Sequence, residues 1–85
     1  MQKIEVIAVF DTCGELQPLR FRFQGEDHQL YRVNIDKVLS VRKVSYVGME
    51  SMIYLCRAQM EQRERVFELK YTIRSHDWEL VRWVY

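Results

Sequence analysis

The sequence predicts an all-β fold: a small antiparallel barrel or a strongly bent meander sheet of six or seven strands, with little or no helix. Three observations carry this. Apolar residues recur at every second position through most of the chain, which is the period of a half-buried strand. Short polar or glycine-containing breaks, such as Asp11–Gly14, Gly25–Asp27 and Ser75–Asp77, separate these runs at hairpin spacing. The one stretch of good helix formers, residues 58–65, has too little apolar content to anchor a helix.

In KIEVIAVF, Ile4, Val6, Ala8 and Phe10 share one face. Pro18 suits a strand start, where its missing N–H does least harm. Leu19, Phe21 and Phe23 then point one way, and Arg20, Arg22 and Gln24 the other. Gly25-Glu26-Asp27 reads as a hairpin turn, with glycine supplying a positive φ. Tyr31, Val33 and Ile35 continue on one face, and Asn34 and Asp36 mark a kink. In VLSVRKVSYVG the parity of Leu39 and Val41 differs from that of Val44 and Tyr46. One extra residue near Arg42-Lys43, a β-bulge, would restore all four to one side. Residues 58–65 read as a polar hairpin loop, with a single helical turn as the alternative. FELKYTI alternates cleanly, and WELVRWVY closes the chain. The expected core takes one face of each strand, including Phe10, Leu19, Phe21, Phe23, Tyr31, Val33, Leu39, Val44, Tyr54, Cys56, Phe67, Leu69 and Leu80.

Size and composition bound the function. Residues 1–85 form a single domain. At 48% hydrophobic and 29% charged residues the chain is too apolar for disorder. A net charge of +1 provides no long-range field toward nucleic acid or an anionic membrane. No apolar run approaches the ~18 residues of a membrane span, so no membrane partner is expected. MQKIEVIAVFD reads as a strand and not as a leader, since Glu5 interrupts it and it lacks a small-residue cleavage site. A cytoplasmic location is therefore expected, and with it free thiols at Cys13 and Cys56.

No catalytic residue, metal ligand set or cofactor is expected. Cys13, His28, Cys56 and His76 lack any zinc-ligand spacing. Cys13 sits between Asp11 and Glu15, a poor setting for a thiolate nucleophile. The acids fall mostly in turns, and Gly14, Gly25 and Gly48 are too far apart for a phosphate-binding loop. An enzyme, or any small-molecule substrate, is thus not indicated.

Two binding readings remain. Ile7 and Val9 on the first strand, and Val81, Trp83 and Tyr85 on the last, are apolar residues on faces that alternation places outside. First and last strands often neighbour each other in a meander, so these five suggest an oligomer interface, with a homodimer favoured. The second reading is single-stranded nucleic-acid binding by Arg20, Arg22, Arg32, Arg42 and Lys43 on a basic strand face. The aromatics of that region point the other way, so these cations would act without stacking.

The runs GELQPLRFRF, YRVNIDKV, IYLCR and a late WEL together resemble a loose pattern of small bacterial all-β proteins with no assigned function. The resemblance spans most of the chain and implies a small β domain of a bacterial cytoplasm. It transfers no functional residue.

Overall fold

In a computed structural model describing residues 1–85, the chain is all-β. The strands are β1 (Gln2–Phe10), β2 (Leu16–Gln24), β3 (Leu30–Asn34), β4 (Lys37–Tyr46), β5 (Met49–Met60), β6 (Arg63–Thr72) and β7 (Asp77–Trp83). All pairings are antiparallel, in the spatial order β3-β2-β1-β7-β6-β5-β4. No helix is present, and so none is long and apolar enough to cross a membrane.

Two local meanders, β1–β3 and β4–β7, are joined along a short ladder in which Gln2–Ile4 of β1 pair with Trp78–Leu80 of β7. Farther along, β1 leaves β7 and pairs with β2 from Glu5 to Phe10. A second corner lies at the kink expected around Asn34–Asp36. There Ile35 N–H donates to the Leu19 carbonyl on β2 (2.9 Å), and the next residue, Asp36, donates its N–H to the Arg57 carbonyl on β5 (2.9 Å). The Asp36 carboxylate also accepts from the Gln59 N–H (2.8 Å). Successive residues thus bond to opposite halves of the sheet, as at the corners of folded-over sheets. The edge strands β3 and β4 do not pair, so the sheet bends strongly without closing into a barrel.

The core lies between the two halves. Phe21 and Val33 come from the three-strand half, and Tyr54, Cys56, Ala58, Phe67, Leu69 and Leu80 from the four-strand half. Phe21 meets Phe67 edge-on (centroids 5.3 Å apart), and Trp83 contacts both Phe67 (5.4 Å) and Phe23 (5.3 Å). Edge-on and tilted ring pairs of this kind add to simple burial.

Three bulges decide which side chains reach this core. Leu19 has no partner between the pairs Ile7↔Arg20 and Ala8↔Pro18. Leu39 has none between Val38↔Cys56 and Ser40↔Leu55, and Val81 has none between Glu68↔Arg82 and Leu69↔Leu80. Each bulge inserts one residue and reverses the parity of the strand beyond it. Pro18 and Phe21 therefore both point inward, and so do Leu80 and Trp83.

This corrects several sequence expectations. The β4 bulge is at Leu39 and not near Arg42-Lys43. Leu19 (48% exposed) and Leu39 (41% exposed) lie outside the core because they are the extra residues. Val44 pairs with Ser51 on the outer face, while Val41 pairs with Tyr54 on the inner one. Phe10 is 67% exposed, because β7 does not extend to cover the end of β1. Tyr31 is exposed too, stacked on Phe23 (5.6 Å) with its hydroxyl bonded to Asp27.

The turns also differ from expectation. Gly25 has no positive φ; His28 takes that conformation (φ 65°). Gly25 is needed for space, since a Cβ there would come within 2.7 Å of the Tyr31 ring. Residues 58–65 hold neither a long loop nor a helical turn. β5 and β6 run to Met60 and Arg63, and the two-residue turn Glu61-Gln62 joins them with φ of 51° and 64°. The β4–β5 turn, Val47-Gly48, has the same hand (φ 51° and 77°). A β-branched residue is poorly suited to this left-handed region. Val47→Asn is therefore expected to raise the unfolding free energy by about 1 kcal/mol. Val47 is exposed, so little packing is lost. A urea melt with an unchanged or lower midpoint would contradict this.

Candidate functional site

The five basic residues do not form one stripe. Arg20, Arg22 and Arg32 share the outer face of β2 and β3, where Arg22 and Arg32 are direct cross-strand neighbours. With Glu5 and Ile7 they border a shallow hollow of about 250 Å³. Arg42 and Lys43 lie on the far side of the unpaired seam, and on opposite faces of β4: Arg42 pairs with Ile53, Lys43 with Met52. Much of the charge is already engaged. Arg22 bonds Glu5, Lys43 pairs with Glu50 (3.0 Å), and Arg42 approaches Glu68 (3.8 Å). Arg20 and Arg32 form no ion pair.

The terminal-strand residues are likewise divided. Ile7 and Val9 are exposed on the part of β1 that pairs with β2. Val81, Trp83 and Tyr85 lie past the other end of the β1–β7 ladder, beyond Gln2↔Leu80. The Val81 bulge turns Trp83 inward against Phe23 and Phe67, with the Arg65 guanidinium 4.7 Å from its ring centre. Tyr85 is exposed and hydrogen-bonds through its main chain to Val66 (2.8 Å). These five do not form one patch.

The largest concavity was not anticipated from sequence. β3 pairs only with Arg20–Gln24, so the Leu16–Leu19 end of β2 has no strand outside it. Beside this gap lies a cleft of about 710 Å³, between the β1–β2 turn and the inner face of β4, β5 and β6. Its walls are Phe10, Val41, Met52, Tyr54, Tyr71 and Ile73; its polar rim includes Glu15, Gln17 and His76. Both tyrosine hydroxyls are occupied. Tyr54 Oη donates to the Leu16 carbonyl (2.8 Å), and Tyr71 Oη is 2.7 Å from His76 Nδ1. Burial, with smaller contributions from Tyr71, Cys56 and Glu15, pushes the Tyr54 phenol up from its ordinary value. Trp78 backs both rings, 5.5 Å from Tyr54 and 4.9 Å from Tyr71. The one sequence signal was the shared inward parity of Tyr54 and Tyr71. Nothing in the chain order announced that Phe10 and Glu15 would face them.

Of the nucleophiles, Cys13 is exposed and Cys56 is buried. Burial pushes the Cys56 thiol up to about 12. A disulfide reagent at about pH 8 is expected to modify Cys13 alone in the folded protein, and Cys56 only after denaturation. Rapid native labelling of both thiols would show that the core opens readily. No three His, Cys, Asp or Glu side chains gather closely enough to hold a metal ion.

No protein-family model matches the chain, and no curated protein or solved structure is similar enough to count as a relative. The functional reading therefore rests on these surfaces alone.

Proposed function

We propose that the chain is a cytoplasmic, non-enzymatic interaction module that self-associates, and that two copies join along β4. The observation that carries this is the free edge of β4, ten residues long and hydrogen-bonded on one side only, to β5. An unpaired strand edge offers a row of N–H and C=O groups to another strand. β4 contains no proline, and its guards are the Leu39 bulge and the cations Lys37, Arg42 and Lys43. Those cations need not oppose self-pairing. A two-fold axis through Val41 sets Ser40 against Arg42 and, across the Leu39 bulge, Val38 against Lys43 and Lys37 against Val44. No two like charges then face each other, which cross-strand pairing requires.

Light scattering tests the reading. The wild type is expected to show twice the 10.4 kDa chain mass. Val41→Lys places two ammonium groups at the axis and is expected to give a monomer with an unchanged circular dichroism spectrum. A wild type that stays monomeric at high concentration sinks self-association altogether. A dimer that survives Val41→Lys but dissociates on Ile7→Lys moves the interface to the exposed β1 residues Ile7 and Val9.

A second reading, single-stranded nucleic-acid binding, is favoured by one observation: Arg20 and Arg32 lack carboxylate partners and flank Arg22. It predicts oligonucleotide binding that weakens steeply with salt, as phosphate contacts release counterions. Fluorescence polarisation that finds no binding at low salt removes it.

A further inference from the structure

The cleft beside the β1–β2 turn has the size of a small-molecule site, which typically spans roughly 300–1,000 Å³, at about 710 Å³. Its polar chemistry is one-sided. The Tyr54 and Tyr71 hydroxyls are already bonded to Leu16 and His76, and Tyr54 is only 2% exposed, so the floor offers a guest mainly the Tyr71 ring and the apolar surface of Val41, Met52 and Ile73. Of its lining residues, Glu15 is the only acid, and none is a lysine or arginine. Lys43, the nearest cation along β4, is drawn off by Glu50 at 3.0 Å. This is notable in a chain whose 13 Lys and Arg outnumber its 12 Asp and Glu.

The acidic lip is built into the turn. Asp11 Oδ1 accepts the Cys13 and Glu15 N–H groups (2.9 Å each), and Asp11 N–H donates to the Glu15 carbonyl (2.9 Å). The Glu15 main-chain bond, with smaller help from those of its neighbours, holds the Asp11 carboxyl below its usual range, and the turn carries this second carboxylate beside that of Glu15. Phe10 stands at this lip, 67% exposed and without a core partner, although β1 alternation points it inward. Aromatic faces carry negative potential and attract organic cations, the more so beside a carboxylate.

We infer that this cleft binds an organic ammonium, with its apolar body against Tyr71, Met52 and Ile73 and its cationic head between Phe10 and Glu15. Such binding does not require pairing along β4, although Val41 belongs both to the cleft wall and to that edge.

Benzyltrimethylammonium, benzyl alcohol and phenylacetate are suitable probes of one ring with three charges. Binding would be followed by the fluorescence of Trp78, which backs the cleft, and by shifts of the tyrosine resonances. The cation is expected to saturate the signal and the other two to do so far more weakly or not at all. Glu15→Gln and Phe10→Ala should each weaken the cation by about three- to tenfold. Both side chains are exposed, so the fold should persist. Glu26→Gln, in the turn between β2 and β3, should change nothing. The inference is overturned if no probe saturates below about 10 mM. It is equally overturned if benzyl alcohol or phenylacetate binds as tightly as the cation, or if Glu15→Gln leaves its affinity unchanged.

Discussion

Phe21→Ala is expected to lower the unfolding free energy by about 3–5 kcal/mol, the usual cost of emptying a buried phenylalanine site. Phe21 is 1% exposed and lies against Phe67 and Phe23. Its position makes the loss hard to absorb. The three-strand half contributes only Phe21 and Val33 to the fully buried cluster, and it is otherwise held to the four-strand half by a three-pair ladder, the Ile35–Asp36 corner, the Tyr54–Leu16 hydrogen bond and partly buried contacts such as Phe23–Trp83. A small domain is stable by only ~5–15 kcal/mol in total. The variant should therefore unfold at much lower urea and be partly unfolded near body temperature. A change below about 1 kcal/mol would mean that the inner face of β2 is not the one that packs.

Glu68→Ala is expected to cost about 1–2 kcal/mol, through a different mechanism. Glu68 lies on the outer face of β6, yet it is buried, because its neighbours on β5 and β7 cover it. Its carboxylate accepts from Arg82 Nε at 2.8 Å and lies 3.8 Å from Arg42. Removing it leaves two guanidinium groups near one another with no anion between them. Both arginines are mostly exposed and keep their hydration, so the cost falls below that of breaking a fully buried pair. The effect should shrink as salt rises, since screening weakens the lost attraction. Equal urea midpoints for wild type and variant at low salt would show that the three charges are independent.

The alternation in β1, β2 and β6 made the fold class legible, and the inward set Phe21, Phe67 and Leu69 comes from it directly. The faces failed where bulges intervene. A bulge adds one residue without any required side-chain chemistry, so β4 showed that parity breaks but not where. β5 could not resolve the ambiguity, because Ile53 on its outer face is buried as well, at 8% exposed. At Val81 nothing in the sequence marks the flip: unbroken alternation puts Trp83 on the surface. The basic residues were easy to find, but their partners were not. Glu5 lies opposite Arg22, and Glu68 comes within reach of Arg42, only through strand register. The cleft was least legible, since Phe10, Glu15, Val41, Tyr54, Tyr71 and His76 come from separate segments that only the bend of the sheet brings together.

The ladder between Gln2–Ile4 and Trp78–Leu80 has a kinetic consequence. Every other pairing joins strands adjacent in sequence, so each can form as a local hairpin or, at Ile35–Asp36, a local bend. This one contact closes a loop of nearly the whole chain, and its entropic cost falls on only three residue pairs. Hairpins β1–β3 and β4–β7 can therefore form quickly and independently, while docking of the first strand onto the last sets the pace of folding. Until that docking occurs, the edges of β1 and β7 are both unpaired and the inner faces of both halves are open to water. A chain delayed at that stage would present to its neighbours the same kind of strand edge that the finished protein keeps at β4.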